Sequence, residues 1–271
     1  MKITVLNENH VNKRGLFAEH GLSLLLEQEE EKWLFDTGQS DVYLKNAKTL
    51  KQSLETLQGI ILSHGHYDHC GGLEYFDKKM PKVYIRKEAL YQKMSGDREK
   101  NTFRDIGIPW KKEMFSREFI FTEEMQKIRK NWFLLGKIPK YPGLEEEPEG
   151  FWYRVREEIQ KDTMEDEQFL VIQTEKGLVL IIGCAHMGIL NCIQHVKTKF
   201  PGKKIRGIFA GMHMRNATEE KIDWTIQKLK EEKLEFLIGA HCTGQKAIGK
   251  MAEMLGECFQ FCEVGKIFEF I

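Results

Sequence analysis

The sequence predicts an α/β protein in which two sheets pack face to face with helices on the outside. Two observations point there. Short runs rich in large apolar and β-branched residues recur from the first residues to the last, and helical stretches separate them in both halves rather than gathering at one end. The size agrees: 271 residues can bury a full core as one large domain. We expect a single domain over 1–271 with an insertion at about 90–165.

In chain order, "KITVL", "LSLLLEQ" and "KWLFDTG" read as strands, "NAKTLKQSLETL" as a helix, and "GIILS" and "KVYIR" as further strands. In the second half, "QFLVIQTEKGLVLIIGC" reads as a hairpin turning at Glu175 to Gly177, followed by the helix "ILNCIQHVKTKF". Strand "KIRGIFAG" precedes the amphipathic "ATEEKIDWTIQKLKEEK", strand "LEFLIGAHC" precedes "GQKAIGKMAEMLG", and "GKIFEF" closes the series. Residues 90–165 break this rhythm: they are charged, aromatic and hold most of the prolines. Two readings stand for this stretch, a surface excursion or a cap that shapes a substrate pocket.

Composition excludes several classes. Lys plus Arg and Asp plus Glu are 41 each, so the chain lacks the basic excess of a dedicated nucleic-acid or anionic-membrane binder. Its longest apolar run, around "GLVLIIGCA", falls well short of the ~20 residues of a spanning helix. The start "MKITVLNENH" turns polar too early for a secretory signal, so the expected location is cytoplasmic. Cys70, Cys184, Cys192, Cys242, Cys258 and Cys262 form no C-x-x-C pair and are expected to be reduced and mostly buried. Cys70, Cys184 and Cys242 each lie within two residues of a histidine of interest, which leaves an auxiliary metal contact as the minority reading.

The segment "ILSHGHYDHCGGL", residues 61–73, carries the chemistry. A chance H-x-H-x-D-H is expected at about one in a million start positions. Three imidazoles and a carboxylate in one turn would crowd charge and polar groups, and a divalent cation resolves that crowding. His64 and His66, two apart in extended chain, project to the same side and can grip one ion; Asp68 and His69 are adjacent, so a sharp bend must aim both toward a second. Gly71 and Gly72 permit that bend. More ligands must come from far along the chain, and His186, His213 and His241 each stand where an apolar run ends. His10 and His195 lack that placement, and His195 is expected on the surface of a helix. Asp36 closes "KWLFDTG" and is expected to orient a histidine ligand or anchor the metal loop.

In this order, "DTG", "SHGHYDHCGGL", "GCAHMGILN" and "GAHCTG" resemble the metallo-β-lactamase superfamily over nearly the whole chain outside the excursion. The resemblance implies an αββα four-layer sandwich, the metallo-β-lactamase fold, with 90–165 as an inserted cap-like segment and a two-metal site. Position by position it implies His64, His66 and His186 as ligands of one metal, Asp68, His69 and His241 as ligands of the other, and Asp36 as the family's first aspartate. One departure is plain: where the superfamily usually places a bridging aspartate, this chain reads "FAGMHM". Here His213 stands as a substitute ligand or a substrate contact. Finer features, among them "EHGLSLLLE", "FDTGQS" and "GMHM", resemble the subgroup containing an archaeal methanopterin-pathway synthase that joins a dihydropterin to a ribofuranosylaminobenzene phosphate.

The expected activity is metal-dependent hydrolysis of an ester, phosphoester, thioester or lactone-type small molecule by hydroxide formed on one or two divalent transition metals, zinc first, with iron or manganese as alternatives. Asp68 would orient the nucleophile and His213 would protonate a leaving group or stabilise negative charge. The alternative is a transferase condensing a dihydropterin pyrophosphate with an aromatic amine. For it Phe151, Trp152, Tyr153 and Arg154 are candidates to stack a ring and bind phosphate, or else they pack the fold. Glu19 and His20 are further candidates for reaching the cleft. A non-hydrolytic metal-binding or redox module ranks third. A small-molecule partner is expected, with neither nucleic acid nor membrane, and a homodimer is left open.

Overall fold

The computed structural model describes residues 1–114 and 118–270. Residues 115–117, within the stretch expected as an insertion, lie outside the described residues. In chain order the strands and α-helices are β1 (Lys2–Asn7), β2 (Ser23–Gln28), β3 (Glu31–Phe35), α1 (Val42–Thr49), β4 (Leu57–Ile61), α2 (Tyr67–Cys70), β5 (Lys82–Ile85), β6 (Gln92–Asp97), β7 (Thr102–Asp105) and β8 (Phe119–Phe121). They continue as β9 (Met125–Arg129), β10 (Trp132–Gly136), β11 (Phe151–Val155), β12 (Glu158–Lys161), β13 (Gln168–Thr174), β14 (Gly177–Ile182) and α3 (Ile189–Lys199). The series ends with β15 (Ile205–Gly211), α4 (Glu219–Glu231), β16 (Phe236–Ala240), α5 (Gln245–Leu255), β17 (Phe259–Phe261) and β18 (Ile267–Glu269). The chain divides into two compact units, 1–122 with 149–166 and 263–271, and 123–148 with 167–262.

The first unit holds a seven-stranded sheet in the order β18-β1-β2-β3-β4-β5-β8. Strands β1 to β3 form an antiparallel meander, and β3, β4, β5 and β8 run parallel. Tyr43 and Ala47 of α1 pack into a core with Leu6, Leu25, Leu34, Ile60 and Leu73. The helix is shorter than "NAKTLKQSLETL" suggests. It stops at Thr49 because Lys51 takes a left-handed φ of 56° and Gln52 N–H turns back to the Ala47 carbonyl, a Schellman-type ending.

The second unit is built on a seven-stranded sheet, β17-β16-β15-β14-β13-β10-β9. Strands β13 and β14 form the expected hairpin, pairing Thr174 with Gly177. From β14 to β17 the strands are parallel, with α3, α4 and α5 between them in sequence. Parallel strands covered on both faces need apolar residues at consecutive positions, which is why "LVLII" and "FLIGA" are buried throughout. His195 lies on the buried side of α3 at 2% exposure, not on the surface as its sequence suggests. Helix α3 turns that side inward through Ile189, Cys192, Ile193 and Val196, and burial holds the His195 imidazole below its usual range.

Residues 90–165 are divided among three sheets. Strand β8 extends the first large sheet, β9 and β10 complete the second, and β6, β7, β11 and β12 form a separate four-stranded antiparallel sheet within the first unit. Among the described residues no helix is long and apolar enough to cross a membrane.

Candidate metal centre

Parallel strands end on the residues of interest. In the first unit β3 runs into Asp36 and β4 into Ser63 and His64. Asp36 adopts a left-handed φ of 56°, uncommon for a residue with a side chain, and is fully buried. One of its oxygens accepts the Ser63 N–H at 2.7 Å; the other accepts the Ser63 hydroxyl at 2.7 Å and lies 2.7 Å from His69 Nδ1. Ser63 Oγ also lies 2.9 Å from His64 Nδ1. A single carboxylate therefore orients two imidazoles, one directly and one through a hydroxyl.

The next turn packs tightly because its glycines lack a side chain. A Cβ on Gly65 would come within 2.3 Å of the Ala89 carbonyl oxygen, and one on Gly72 within 2.0 Å of that of Thr37. Gly71 keeps an ordinary helical φ of −61°, so close approach rather than a special backbone angle sets the glycine requirement. His64 Nε2 lies 3.0 Å from His66 Nδ1, and the His64 and His69 rings are 4.3 Å apart. Burial pushes the His66 imidazole down to about 4, leaving it neutral near neutral pH.

A buried charge network braces the loop from the other side. Lys93 on β6 pairs with Asp162 at 2.8 Å and with Asp166 at 2.7 Å, and the second Asp166 oxygen accepts Gly65 N–H at 2.7 Å. Burial alone would raise the Asp166 carboxyl, but Lys93 outweighs it and holds it below the usual range. The four-stranded sheet touches the same loop: Phe151 of β11 stacks on His66 with ring centres 5.7 Å apart, and Tyr67 N–H donates to the Ile106 carbonyl. Side chains alternate along a strand, so Trp152 and Arg154 take the opposite parity. Trp152 packs edge-on to Phe103 and donates to the Gly96 carbonyl, and Arg154 is exposed.

Of the two early-loop candidates, His20 Nε2 lies 3.1 Å from Asp68 Oδ2. Glu19 accepts from Gln39 N–H, Ser40 N–H and the Ser40 hydroxyl, tying down the loop that leads out of Asp36.

In the second unit the parallel strands β14, β15 and β16 lead to His186, His213 and His241. Three left-handed residues mark the turns: Ala185 at φ 49°, His213 at 45° and His241 at 49°. Each such residue costs about 1–3 kcal/mol and persists only where its surroundings hold it. Glu167 supplies part of that hold, accepting His186 N–H at 2.7 Å and Met187 N–H at 3.0 Å. Glu145 accepts Leu190 N–H and Asn191 N–H at the start of α3. Thr243 Oγ accepts Met212 N–H and donates to the Ala240 carbonyl. The His186 and His213 rings lie 4.3 Å apart; His186 is buried and His213 exposed. Burial alone would raise the Cys242 thiol, but hydrogen bonds involving Cys184 and His213 and the nearby His241 hold it well below its usual range.

Sequence reasoning missed Ser63, Lys93, Asp166 and Glu167. Ser63 precedes His64 and is the one with a visible signal; the acidic run "EDE" at 165–167 looks like a solvated turn but supplies two buried carboxylates.

The donor set of the first unit fits a divalent cation. Zinc–imidazole bonds of about 2.0–2.1 Å put tetrahedral ligand atoms about 3.3 Å apart, close to the His64–His66 nitrogen spacing of 3.0 Å. With Nδ1 of both His64 and His69 engaged by the Ser63–Asp36 pair, their Nε2 atoms are the ones presented as ligands.

A family model, the metallo-beta-lactamase superfamily, matches residues 17–186. An uncharacterized protein of Methanocaldococcus jannaschii is 32% identical over 98% of both chains. The 7,8-dihydropterin-6-methyl-4-(beta-D-ribofuranosyl)-aminobenzene-5'-phosphate synthase of the same organism is 30% identical, over 100% of this chain and 97% of its own. The crystal structure of Tm1679, described as a metal-dependent hydrolase of the beta-lactamase superfamily, superposes with a TM-score of 0.87 at 35% identity, covering 100% of this chain and 99% of the other.

Proposed function

The chain belongs to the metallo-β-lactamase superfamily and has its α/β fold, and on that premise we propose that it is a metal-dependent hydrolase of small molecules carrying an ester, phosphoester, thioester or lactone bond. The observation that carries this reading is the braced donor loop, in which Asp36 and Asp166 fix His64, Gly65 and His69 before any ligand arrives. As ligands we assign His64, His66 and His186 to one ion and Asp68, His69 and His241 to a second. Zinc fits imidazole and carboxylate donors, with iron and manganese as alternatives. Bound there, divalent ions would supply Lewis-acid polarisation and acidify water.

The chain's own groups do the rest. Asp68, held by His20, orients the attacking water. His69 keeps one tautomer because Asp36 engages its Nδ1. A ring nitrogen of the exposed His213 donates a proton to the leaving group. The end of β15, Gly211-Met212-His213, carries no carboxylate, so the second ion would lack the bridging ligand usual in the family and bind more weakly than the first.

A second reading, condensation of a dihydropterin pyrophosphate with an aromatic amine, is favoured by the synthase relative that spans the whole chain. Phe151 beside His66 offers a face for a planar ring. One panel separates the two. Phosphodiesters, thioesters and lactones are assayed beside the pterin pyrophosphate plus amine, with pyrophosphate release as readout. Hydrolysis without amine-dependent coupling supports the first reading; coupling that requires the amine replaces it with the second. No turnover by protein carrying about one to two equivalents of transition metal would overturn both.

A further inference from the structure

Beside the turns of the second unit lies a group of ligand atoms that includes two cysteine sulfurs the proposed reaction leaves unused. The two cysteine sulfurs of Cys184 and Cys242 and a ring nitrogen of His213 all lie within 4.8 Å of one another. From this geometry we propose that Cys184, Cys242 and His213 form a thiophilic cation site, suited to zinc, cadmium or cobalt, with all three ligands supplied by the second unit.

The backbone brings these loops together. Gly211, at the end of β15, leaves no room for a Cβ, which would fall 2.2 Å from the Gly183 carbonyl oxygen and 2.9 Å from Cys242 Sγ. That close approach draws the turns carrying Cys184, His213 and Cys242 against each other. His213 N–H already donates to Cys242 Sγ at 3.2 Å, and Met214 and Arg215 N–H groups point at the Cys242 carbonyl. Backbone N–H donation to sulfur is the outer support that stabilises a metal-bound thiolate.

Size and chemistry agree. Zinc–sulfur bonds of about 2.3 Å and zinc–nitrogen bonds of about 2.0–2.1 Å place the two sulfurs and the nitrogen of a tetrahedral site about 3.5–3.8 Å apart, so closing from the observed spacing takes a contraction of at most about 1.3 Å. Both cysteines are buried while His213 is exposed, which gives an ion a path in through the imidazole side. Three protein ligands leave a fourth position for water. Two thiolates select soft or borderline ions over magnesium or manganese, unlike the imidazole and carboxylate loop of the first unit. While this site is loaded, His213 serves the ion and not a leaving group.

Cobalt(II) is the probe, because a thiolate ligand gives a near-ultraviolet sulfur-to-cobalt charge-transfer band that imidazole and carboxylate ligands do not. The full-length protein, freed of metal and reduced, is titrated with cobalt(II). We expect the band to grow to saturation, to persist in the His64→Ala/His66→Ala variant, and to be lost in Cys184→Ser and in Cys242→Ser. Because both cysteines are buried and their substitution also perturbs the core, His213→Ala supplies the second arm: residue 213 is exposed, and the change should weaken cobalt binding read from the same band by about tenfold or more. No charge-transfer band in the wild-type protein overturns the site. So does a band that disappears with His64 and His66 or is unaffected by His213→Ala. Loss of hydrolysis in those variants bears on the proposed reaction and not on this site.

Discussion

The loop after β4 and the turns after β14, β15 and β16 carry the same kind of side chain but are held by different means. In the first unit the candidate ligands fall within one short loop, residues 64–69, and carboxylates position them: Asp36 through His69 and Ser63, Asp166 through Gly65. In the second unit they are scattered, and each turn passes through a left-handed residue, Ala185, His213 or His241. Glu167 offers the second unit a comparable carboxylate brace on the His186 and Met187 amides, and Glu145 holds those of Leu190 and Asn191 just beyond. A contiguous loop can be fixed by charge-assisted hydrogen bonds to a few groups. Ligands on separate strands are placed by backbone conformation and by the sheet, so their precision depends on the core.

The largest test of that difference is removal of the contiguous ligands. His64→Ala/His66→Ala should lower turnover by about a thousandfold or more while far-ultraviolet circular dichroism and the melting transition stay near wild type, because both imidazoles sit on a loop and not within a sheet. Turnover retained in this variant would break the contrast at its strongest point.

Next comes the brace itself. Lys93→Met strands Asp162 and Asp166 in the interior and should cost about 3–5 kcal/mol in urea unfolding. A loss under about 1 kcal/mol would mean the buried pair is not holding the loop. Asp36→Asn should leave stability less affected but weaken metal binding about 10- to 100-fold, read by competition with a chelator. Unchanged affinity would show that Ser63 alone suffices to orient the imidazoles.

The second unit gives a smaller, pH-dependent effect. Burial lowers the folded-state pKa of His195, so the unfolded chain binds the proton more readily. The stability it contributes is present above the unfolded value of about 6.5 and is lost as pH falls through the folded value. His195→Leu should flatten that part of the stability profile in acid titrations; an unaltered slope would remove His195 from the account. The smallest effect belongs to the backbone. Ala→Gly at an ordinary position costs about 0.5–1 kcal/mol, but at left-handed Ala185 glycine relieves strain. Ala185→Gly should therefore match or exceed wild-type stability, and an ordinary loss would contradict the strain argument.

The same contrast explains what was legible in the sequence. His64, His66, Asp68 and His69 announce themselves by spacing, and the strands that end on Asp36, His186, His213 and His241 are visible as apolar runs. The parallel strands of the second unit were readable because burial on both faces demands unbroken apolar stretches. Lys93, Asp162 and Asp166 were not, since their pairing joins residues 69 and 73 apart and each looks locally like an exposed charge. The helical pattern beyond Thr49 misled because a single left-handed residue, Lys51, ended the helix with no glycine to mark it. His195 misled because periodicity gives the faces of a helix but not how much of each is covered.

Calorimetric titration of zinc into chelator-stripped protein tests the central claim most directly, comparing wild type with His64→Ala and with His186→Ala. If His64 and His186 serve the same ion, as proposed, each single variant removes the same tight-binding step. A His186→Ala protein that binds as tightly, and to the same stoichiometry, as wild type would contradict it.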